Sequence, residues 1–327
     1  MCRMQFLIMS LNERAHKLAH EMAERREELN VSVSTLKNGT NVIDAGIHAR
    51  GGLMAGIYLS RITLSDMAKV RLTASDVDFI KVPSVEVATD SPILATMASQ
   101  IAGWKVSVGN FFAMASGPAR VLAKKPKKLF EEIKYEEKSD VAVVFLECST
   151  MPNEEVASEI AKACGVHPTG LYVAVAPTNS VACSVQVSAR IVETGIHKLH
   201  SLGFDITKIE SGFGVAPIAP VVGDETRCMG ATNDCIMYCG QAYYTVRYDD
   251  LDKLRSFVEK VPSSTSRDYG KPFYDTFKAA NFDFYKIDAG IFAPAVVTVN
   301  EIKSGKTFVS GKVNPGVLLE SFGVKKV

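Results

Sequence analysis

Residues 140–177, DVAVVFLECSTMPNEEVASEIAKACGVHPTGLYVAVAP, decide the fold. The runs 141–147 and 171–176 are almost wholly apolar, as expected of strands buried on both faces. MPNEEVASEIAKACG between them reads as a helix. A β-α-β order with a crossover of this length requires parallel strands. A long helix is expected next, over 179–202, so the rhythm continues. The fold class is α/β.

Working outward, residues 10–29 read as an amphipathic helix, with Ser10 as N-cap and Glu13 three residues on. Residues 1–8 are an extension ahead of it, with Met9 an alternative start. NVSVSTLKNGTNVIDAG (30–46) is a hairpin about Lys37-Asn38-Gly39. ARGGLMAGIYLSRI (49–62) is a glycine-marked turn into a helix. A strand is expected near 80–89, and a helix follows, with Asp90 or Ser91 as cap and Pro92 in its first turn. CMGATNDCIMYCGQ (228–241) reads as a helix, AYYTVRYD (242–249) as a strand, and short helices follow near 250–260 and 272–280. Residues 294–313 alternate about a Ser-Gly turn, a terminal hairpin, and 314–323 form a closing helix. The charge-dense stretch 123–140 suggests a boundary between an N-terminal α/β domain, 1–139, and a C-terminal one, 140–327. Residues 260–272, rich in Ser, Pro and Gly, read as a second linker.

Hydrophobic residues make up 47% and charged residues 22%, ordinary for a globular enzyme, and the formal net charge is +1. So small a charge creates no global field selecting nucleic acid or a membrane surface. No apolar run is long enough for a bilayer span. Seven cysteines at 2, 148, 164, 183, 228, 235 and 239 form no C-x-x-C pair, which points to reduced thiols and a cytoplasmic location. Cys148 and Cys183 lie in apolar runs and are expected in the core. Cys235 and Cys239 share a helix face but lack a second ligand pair, so no metal site is expected.

The expected helix 179–202 carries the first chemical candidates. Val181, Val185, Val192, Ile196 and Leu199 share one sector, the core stripe. Gln186, Arg190, Glu193 and His197 form a second row at spacings of 4, 3 and 4. Arg190 and Glu193 are the only formal charges over 181–197, so this row reads as the wall of a cleft; the competing reading is an intrahelical pair at a half-exposed surface. Gly195 in mid-helix costs about 1 kcal/mol relative to Ala, so something is expected to pack against that turn. His197 and His200 read as structural. A second candidate is Ser116-Gly117-Pro118-Ala119-Arg120. Serine caps, proline suits a first helical turn, and free N–H groups beside Arg120 form an anion site. The competing reading is a capped helix without a ligand.

IDAGIHARGG, FFAMASGPAR, VAPTNSVACSVQVSARIVETGIHK, GFGVAPIAPV and MGATNDCIMYCG occur in an order that resembles the methenyltetrahydromethanopterin cyclohydrolase family, over nearly the whole chain after residue 9. The chain departs from the family pattern at Ala115, at 64–68, and at Tyr238-Cys239-Gly240-Gln241, where the family carries an arginine in the last position. The resemblance implies two α/β domains with a large pocket between them and a homotrimer. It implies hydrolysis of the methenyl bridge of a tetrahydropterin one-carbon carrier to the 5-formyl form, with no metal or redox cofactor. Arg190 and Glu193 match the family's catalytic pair, with Glu193 as general base and Arg190 orienting it. Ser116, Gly117 and Arg120 are expected to grip the carrier's acidic, phosphate-containing tail. Thr178, Asn179, Ser180, Thr232, Asn233 and Asp234 are expected to line the cleft. Rival readings are a phosphate-handling α/β enzyme using the Ser116–Arg120 turn and a non-catalytic pterin-binding protein.

Overall fold

The computed structural model describes residues 10–324, so the expected extension 1–8 lies outside the described residues. Twelve strands form two six-stranded sheets. In chain order they are β1 (Ser32–Thr35), β2 (Asn41–Asp44), β3 (Lys69–Val77), β4 (Ile80–Thr89), β5 (Trp104–Val108), β6 (Phe111–Ser116), β7 (Ala142–Glu147), β8 (Leu171–Ala176), β9 (Ile209–Pro217), β10 (Gln241–Val246), β11 (Val296–Glu301) and β12 (Thr307–Gly311). The first sheet runs β1-β2-β8-β7-β6-β5 and the second β12-β11-β10-β9-β4-β3.

The stretch 140–177 folds as its pattern demands. β7 and β8 pair in parallel, joined by the Glu154–Cys164 helix, and both are buried throughout except at Glu147. Helices cover both faces. Leu18, Met22, Leu59 and Cys183 pack on one side with Val143 and Phe145, while Ala119, Val156 and Ile160 pack on the other with Val144 and Leu146. The Leu11–Glu24 helix starts with the expected capping box of Ser10 and Glu13. Both expected hairpins form, β1–β2 and β11–β12.

The second sheet is covered on one face only. Val87, Tyr244 and Val299 pack under the Ile191–Ser201 helix with Val192, Ile196 and Leu199. The alternate residues point outward, as antiparallel strands allow. Phe213 and Tyr243, directly paired across β9 and β10, remain about 40% and 39% exposed.

The boundary expected near residue 140 falls inside the first sheet. The charged stretch 123–140 links β6 to its own antiparallel neighbour β7. Each sheet draws strands from both sides of that point: β3 and β4 belong to the second sheet, and β7 and β8 to the first. High charge marks a solvated connection, which need not be a linker between domains.

The single helix expected over 179–202 is two helices, Val181–Ser188 and Ile191–Ser201, broken at Ala189–Arg190. Cys183 and Val187 of the first belong to the core of the first sheet, and Ile191 and Val192 of the second to the core of the other. The first helix serves both cores, since its Val185 packs with the second sheet's core, and beyond the break the chain packs on the second sheet. Val181, placed in the core stripe by periodicity, is 37% exposed at the first turn of its helix.

Candidate active site

Arg190 sits in the break, with φ −79° and ψ 3°. The interruption frees the Ala189 carbonyl, which takes a hydrogen bond from Gln100 Nε2 at 3.2 Å. Gln100 also accepts through its backbone: Arg190 Nη1 donates to the Gln100 carbonyl at 3.1 Å. Gln100 ends the Ile93–Gln100 helix, so two helix ends are clasped together. Arg190 Nη2 donates to Ser116 Oγ at 3.2 Å and to Gln186 Oε1 at 3.5 Å. Ser116 is the last residue of β6, and Gln186 lies one turn before Arg190.

Three neutral acceptors thus aim the guanidinium. Its Nη1 lies 3.6 Å from Glu193 Oε2, with the two side chains 10% and 7% exposed. Among the described residues no hydrogen-bond donor is seated on either Glu193 oxygen. Neither oxygen is wholly sealed from solvent, so the carboxylate keeps a narrow opening for a donor from outside. Gln100 Oε1, by contrast, is fully buried without a partner. The turn after Glu193 is held from the second sheet. Tyr244 is fully buried and donates its hydroxyl to the Val192 carbonyl at 2.8 Å. Burial, then the Glu193 charge, push its phenol above the usual range. A β-carbon on Gly195 would stand 2.1 Å from that phenol oxygen, so the mid-helix glycine makes room for Tyr244.

Of the anion site expected at 116–120, only Ser116 reaches the pair. Arg120 is fully buried, and its Nη1 donates to the carbonyls of Met97, Ala98 and Ser99 at 3.2 Å each. Through Nη1 it closes the C-terminal end of the Ile93–Gln100 helix, while its Nε and Nη2 are buried without a partner; fully buried, it does not present an open phosphate site at the protein surface. Burial pulls its guanidinium down to about 9, with Glu193 opposing the fall and Arg190 adding to it. Gly117 adopts φ +102°, but its N–H is spent on the Ser99 carbonyl.

Thr178 donates to Glu147 Oε1 at 2.7 Å, Asn179 to the Gly223 carbonyl at 3.4 Å, and Ser180 caps the Val181–Ser188 helix. Thr232 and Asn233 both bond back to the Met229 carbonyl. Asp234 is fully buried, accepting from Phe273 N and Ser321 Oγ, and burial pushes its carboxyl up to about 7. Its bonds fasten two C-terminal helices, a structural duty that leaves nothing for a ligand. His197 is exposed and His200 pairs with Glu132 at 2.9 Å, so the polar row ends at Glu193.

An open cleft of about 900 Å³ runs between the helices Leu11–Glu24 and Leu53–Thr63 and strands of the second sheet. Arg14, Arg25, Arg61 and Lys69 line it with Asp66, Asp90, Phe213 and Tyr243, and none of the residues expected from sequence borders it. Gly212, on its wall, packs against Val192, the residue before Glu193. Gln241, where the family pattern has arginine, opens with Phe213 and Tyr243 onto a neighbouring hollow. Neither Gln100 nor the cationic cleft was visible in the sequence, because their residues meet only through the fold.

Comparison with known proteins adds a separate line of evidence. A sequence model of the Cyclohydrolase (MCH) family matches residues 10–322. Proteins named methenyltetrahydromethanopterin cyclohydrolase are similar to this chain along its length. That of Methanococcoides burtonii is 55% identical over 320 residues, 98% of this chain and 100% of the relative. Those of Methanocaldococcus jannaschii and Methanothermobacter marburgensis are 48% and 44% identical, each covering 97% of this chain and 99% and 100% of the relative.

Proposed function

The chain belongs to the methenyltetrahydromethanopterin cyclohydrolase family, and from that premise we propose that Glu193 is the general base of the reaction and Arg190 the group that positions it. The enzyme hydrolyses the methenyl bridge of 5,10-methenyltetrahydromethanopterin to 5-formyltetrahydromethanopterin. The bridging carbon is bonded to two nitrogens that share a positive charge, so it is already electrophilic. What the protein must add is a placed water and an acceptor for its proton. Glu193 takes one proton as the water oxygen bonds to carbon. The C–N bond to N10 then breaks as the remaining hydroxyl proton passes to N10, and Glu193 gives its proton to solvent. One proton is released per turnover. The carbon keeps its oxidation level, so the reading asks for no redox cofactor, and the activated electrophile needs no metal.

The observation that supports the assignment is the Glu193 carboxylate, buried beside a guanidinium yet, among the described residues, without a hydrogen-bond donor on either oxygen. Ser116 and Gln100 belong to the assembly as supports of Arg190. Glu193→Gln keeps the shape and loses the base. Turnover, followed as bleaching of the methenyl chromophore, is expected to fall by at least about 10³-fold with substrate affinity kept within a few-fold. Near-normal turnover in this variant refutes the assignment. Among the described residues no helix is long and apolar enough to cross a membrane. With the dispersed thiols, this supports a cytoplasmic enzyme, and the family resemblance supports a homotrimer. Sedimentation of the purified chain tests the trimer.

A further inference from the structure

The Ile93–Gln100 helix ends on two guanidiniums. A helix leaves its last carbonyls without partners of its own. Arg120 Nη1 takes those of Met97, Ala98 and Ser99, at 3.2 Å each, and Arg190 Nη1 takes the next, that of Gln100, at 3.1 Å. The Ser99 carbonyl is also held by Gly117 N at 2.9 Å, and the Ser99 hydroxyl donates to the Thr63 carbonyl at 2.6 Å. Thr63 Oγ1 accepts from Gln186, whose Oε1 accepts from Arg190. The buried hydrogen bonds thus run in a ring from Arg190 through Gln186, Thr63, Ser99 and Gln100 back to Arg190. Arg120 is seated on that ring at Ser99.

Capping alone does not account for Arg120. A neutral donor caps a helix without the cost of burying a charge. Its Nε and Nη2 find no acceptor, and among the described residues no carboxylate lies within ion-pairing distance of it. The Phe130 ring, its centroid 5.7 Å away, offsets part of the cost. The charges acting on the guanidinium are Glu193, which favours the cation, and Arg190, which opposes it. Both belong to the reacting pair. A glycine faces the unpaired edge. A β-carbon on Gly103 would stand 2.8 Å from Nη2, 3.2 Å from Nε and 3.0 Å from Pro126 Cδ. The Gly103 backbone lies outside the left-handed region, so what the glycine supplies here is room for the guanidinium.

We propose that Arg120 is a positioning residue of the reaction: it fixes the end of the Ile93–Gln100 helix on which Arg190 is mounted, and Gly103 keeps it in that seat. The proposal rests on the reading of Arg190 and Glu193 as the reacting pair. Arg120 acts through the Gln100 carbonyl. That carbonyl is one of the three acceptors that hold the Arg190 guanidinium 3.6 Å from Glu193. A helix end that shifts by a few tenths of an ångström moves this acceptor, and the guanidinium with it. Misplacement on that scale is costly to a reaction that depends on a placed water.

Two variants test it, with kcat expressed per folded enzyme and the folded fraction taken from urea unfolding. Arg120→Lys keeps the charge but falls one atom short of the three carbonyls. Gly103→Ala pushes on the guanidinium and removes no hydrogen-bonding group, so it serves where Arg120→Lys folds poorly. Each is expected to lower kcat about tenfold and to leave KM within about threefold. In an Arg190→Lys background, where the three-acceptor clasp is already lost, each is expected to cost less than about twofold further. Gly103→Ala added to Arg120→Lys is likewise expected to cost less than about twofold, because the shorter side chain makes room. A merely structural role lowers the folded fraction and leaves kcat per folded enzyme unchanged. The proposal is overturned if kcat stays within about twofold in both variants, or if their losses persist undiminished in Arg190→Lys. A rise in KM with kcat unchanged also overturns it, in favour of contact with the substrate. The catalytic assignment stands or falls separately. Near-normal turnover in Glu193→Gln removes the base and leaves the Arg120–Arg190 coupling as measured, whereas additive losses remove the coupling and leave the base.

Discussion

Gly195→Ala isolates the contact between the second sheet and the turn that carries Glu193. The added β-carbon would lie 2.1 Å from Tyr244 Oη and 3.0 and 3.1 Å from two ring carbons. A non-bonded carbon and oxygen need more than 3 Å, so the phenol oxygen must shift by about 1 Å. Tyr244 is fully buried and cannot swing into solvent. Its 2.8 Å bond to the Val192 carbonyl breaks. Overpacking costs about 1–3 kcal/mol, and orphaning a buried hydroxyl adds about 1–3 kcal/mol. Helix propensity returns about 1 kcal/mol. The net expectation is destabilisation by about 3 kcal/mol, against the usual stabilising sign of Gly→Ala in a helix. Tyr244→Phe removes the clashing oxygen and alone costs about 1–2 kcal/mol for the lost bond. Adding Gly195→Ala to it still asks two ring carbons to give by a few tenths of an ångström, so it is expected to cost no more than about 1 kcal/mol after the helix-propensity gain. Urea unfolding of the four proteins closes the cycle, with a coupling of about 2–3 kcal/mol. Additivity within about 0.5 kcal/mol refutes the reasoning. Because Val192 precedes Glu193, kcat of Gly195→Ala is also expected to fall at least about tenfold, more than KM rises.

Arg190→Lys keeps the charge but cannot serve three acceptors in a plane; kcat is expected to fall about 10²-fold, and a variant with more than half the wild-type kcat denies the positioning role. Arg120→Met strips the cap from the carbonyls of residues 97–99, so the urea midpoint is expected to drop by the equivalent of about 2–4 kcal/mol while KM moves less than threefold; a large rise in KM without instability restores Arg120 as a ligand of the substrate. Asp234 titrates near 7 in the folded chain and near 3.9 unfolded. The folded state holds the extra proton between those values, so stability falls as pH rises from about 4 to about 7 and levels off above. Asp234→Asn keeps an acceptor for the Phe273 N–H and removes the ionisation. The loss of stability between pH 5 and pH 8 is expected to shrink by up to a few kcal/mol, at about 1.4 kcal/mol per unit, and parallel pH profiles contradict it.

Local patterns were legible wherever one physical rule acted alone. The Val-rich runs at 141–147 and 171–176 are strands because both their faces are buried, and Ser10 with Glu13 closes a capping box because neighbouring atoms suffice for it. Phe111–Ser116 was hidden, because its serine and following Gly-Pro resemble a helix start while its pairing with β5 and β7 is long-range. The helix break at Arg190 was equally hidden. It is held by a clasp from Gln100, 89 residues away, a contact no local pattern announces. The site was half legible. Arg190 and Glu193 keep their three-residue spacing across the break, and Ser116 reaches them from β6. The spacing could not tell that Arg120 turns away to cap a helix, or that Asp234 is bound by Phe273 and Ser321.

The hydrogen bonds around Arg190 bear on why the pair can work in a buried place. A guanidinium clamped face to face on a carboxylate occupies both oxygens with short parallel bonds. Such a carboxylate has little left for a water. In this chain the guanidinium's donors go to a carbonyl, a hydroxyl and an amide oxygen, and the carboxylate is left at 3.6 Å. That separation retains the attraction between the charges while leaving the Glu193 oxygens open to a donor from outside. The three acceptors come from the ends of a helix and a strand and from the preceding turn, so the guanidinium cannot close the gap without giving up bonds on three elements. Weakening one of them should therefore do harm by allowing the clamp to form. Ser116→Ala releases one Nη2 bond, and the expected result is a shorter Arg190–Glu193 contact with lower kcat and unchanged substrate binding. Gln186→Leu, which releases the other, is expected to act in the same direction. If either variant keeps the 3.6 Å gap in its structure and still loses kcat, the separation is not what those bonds protect.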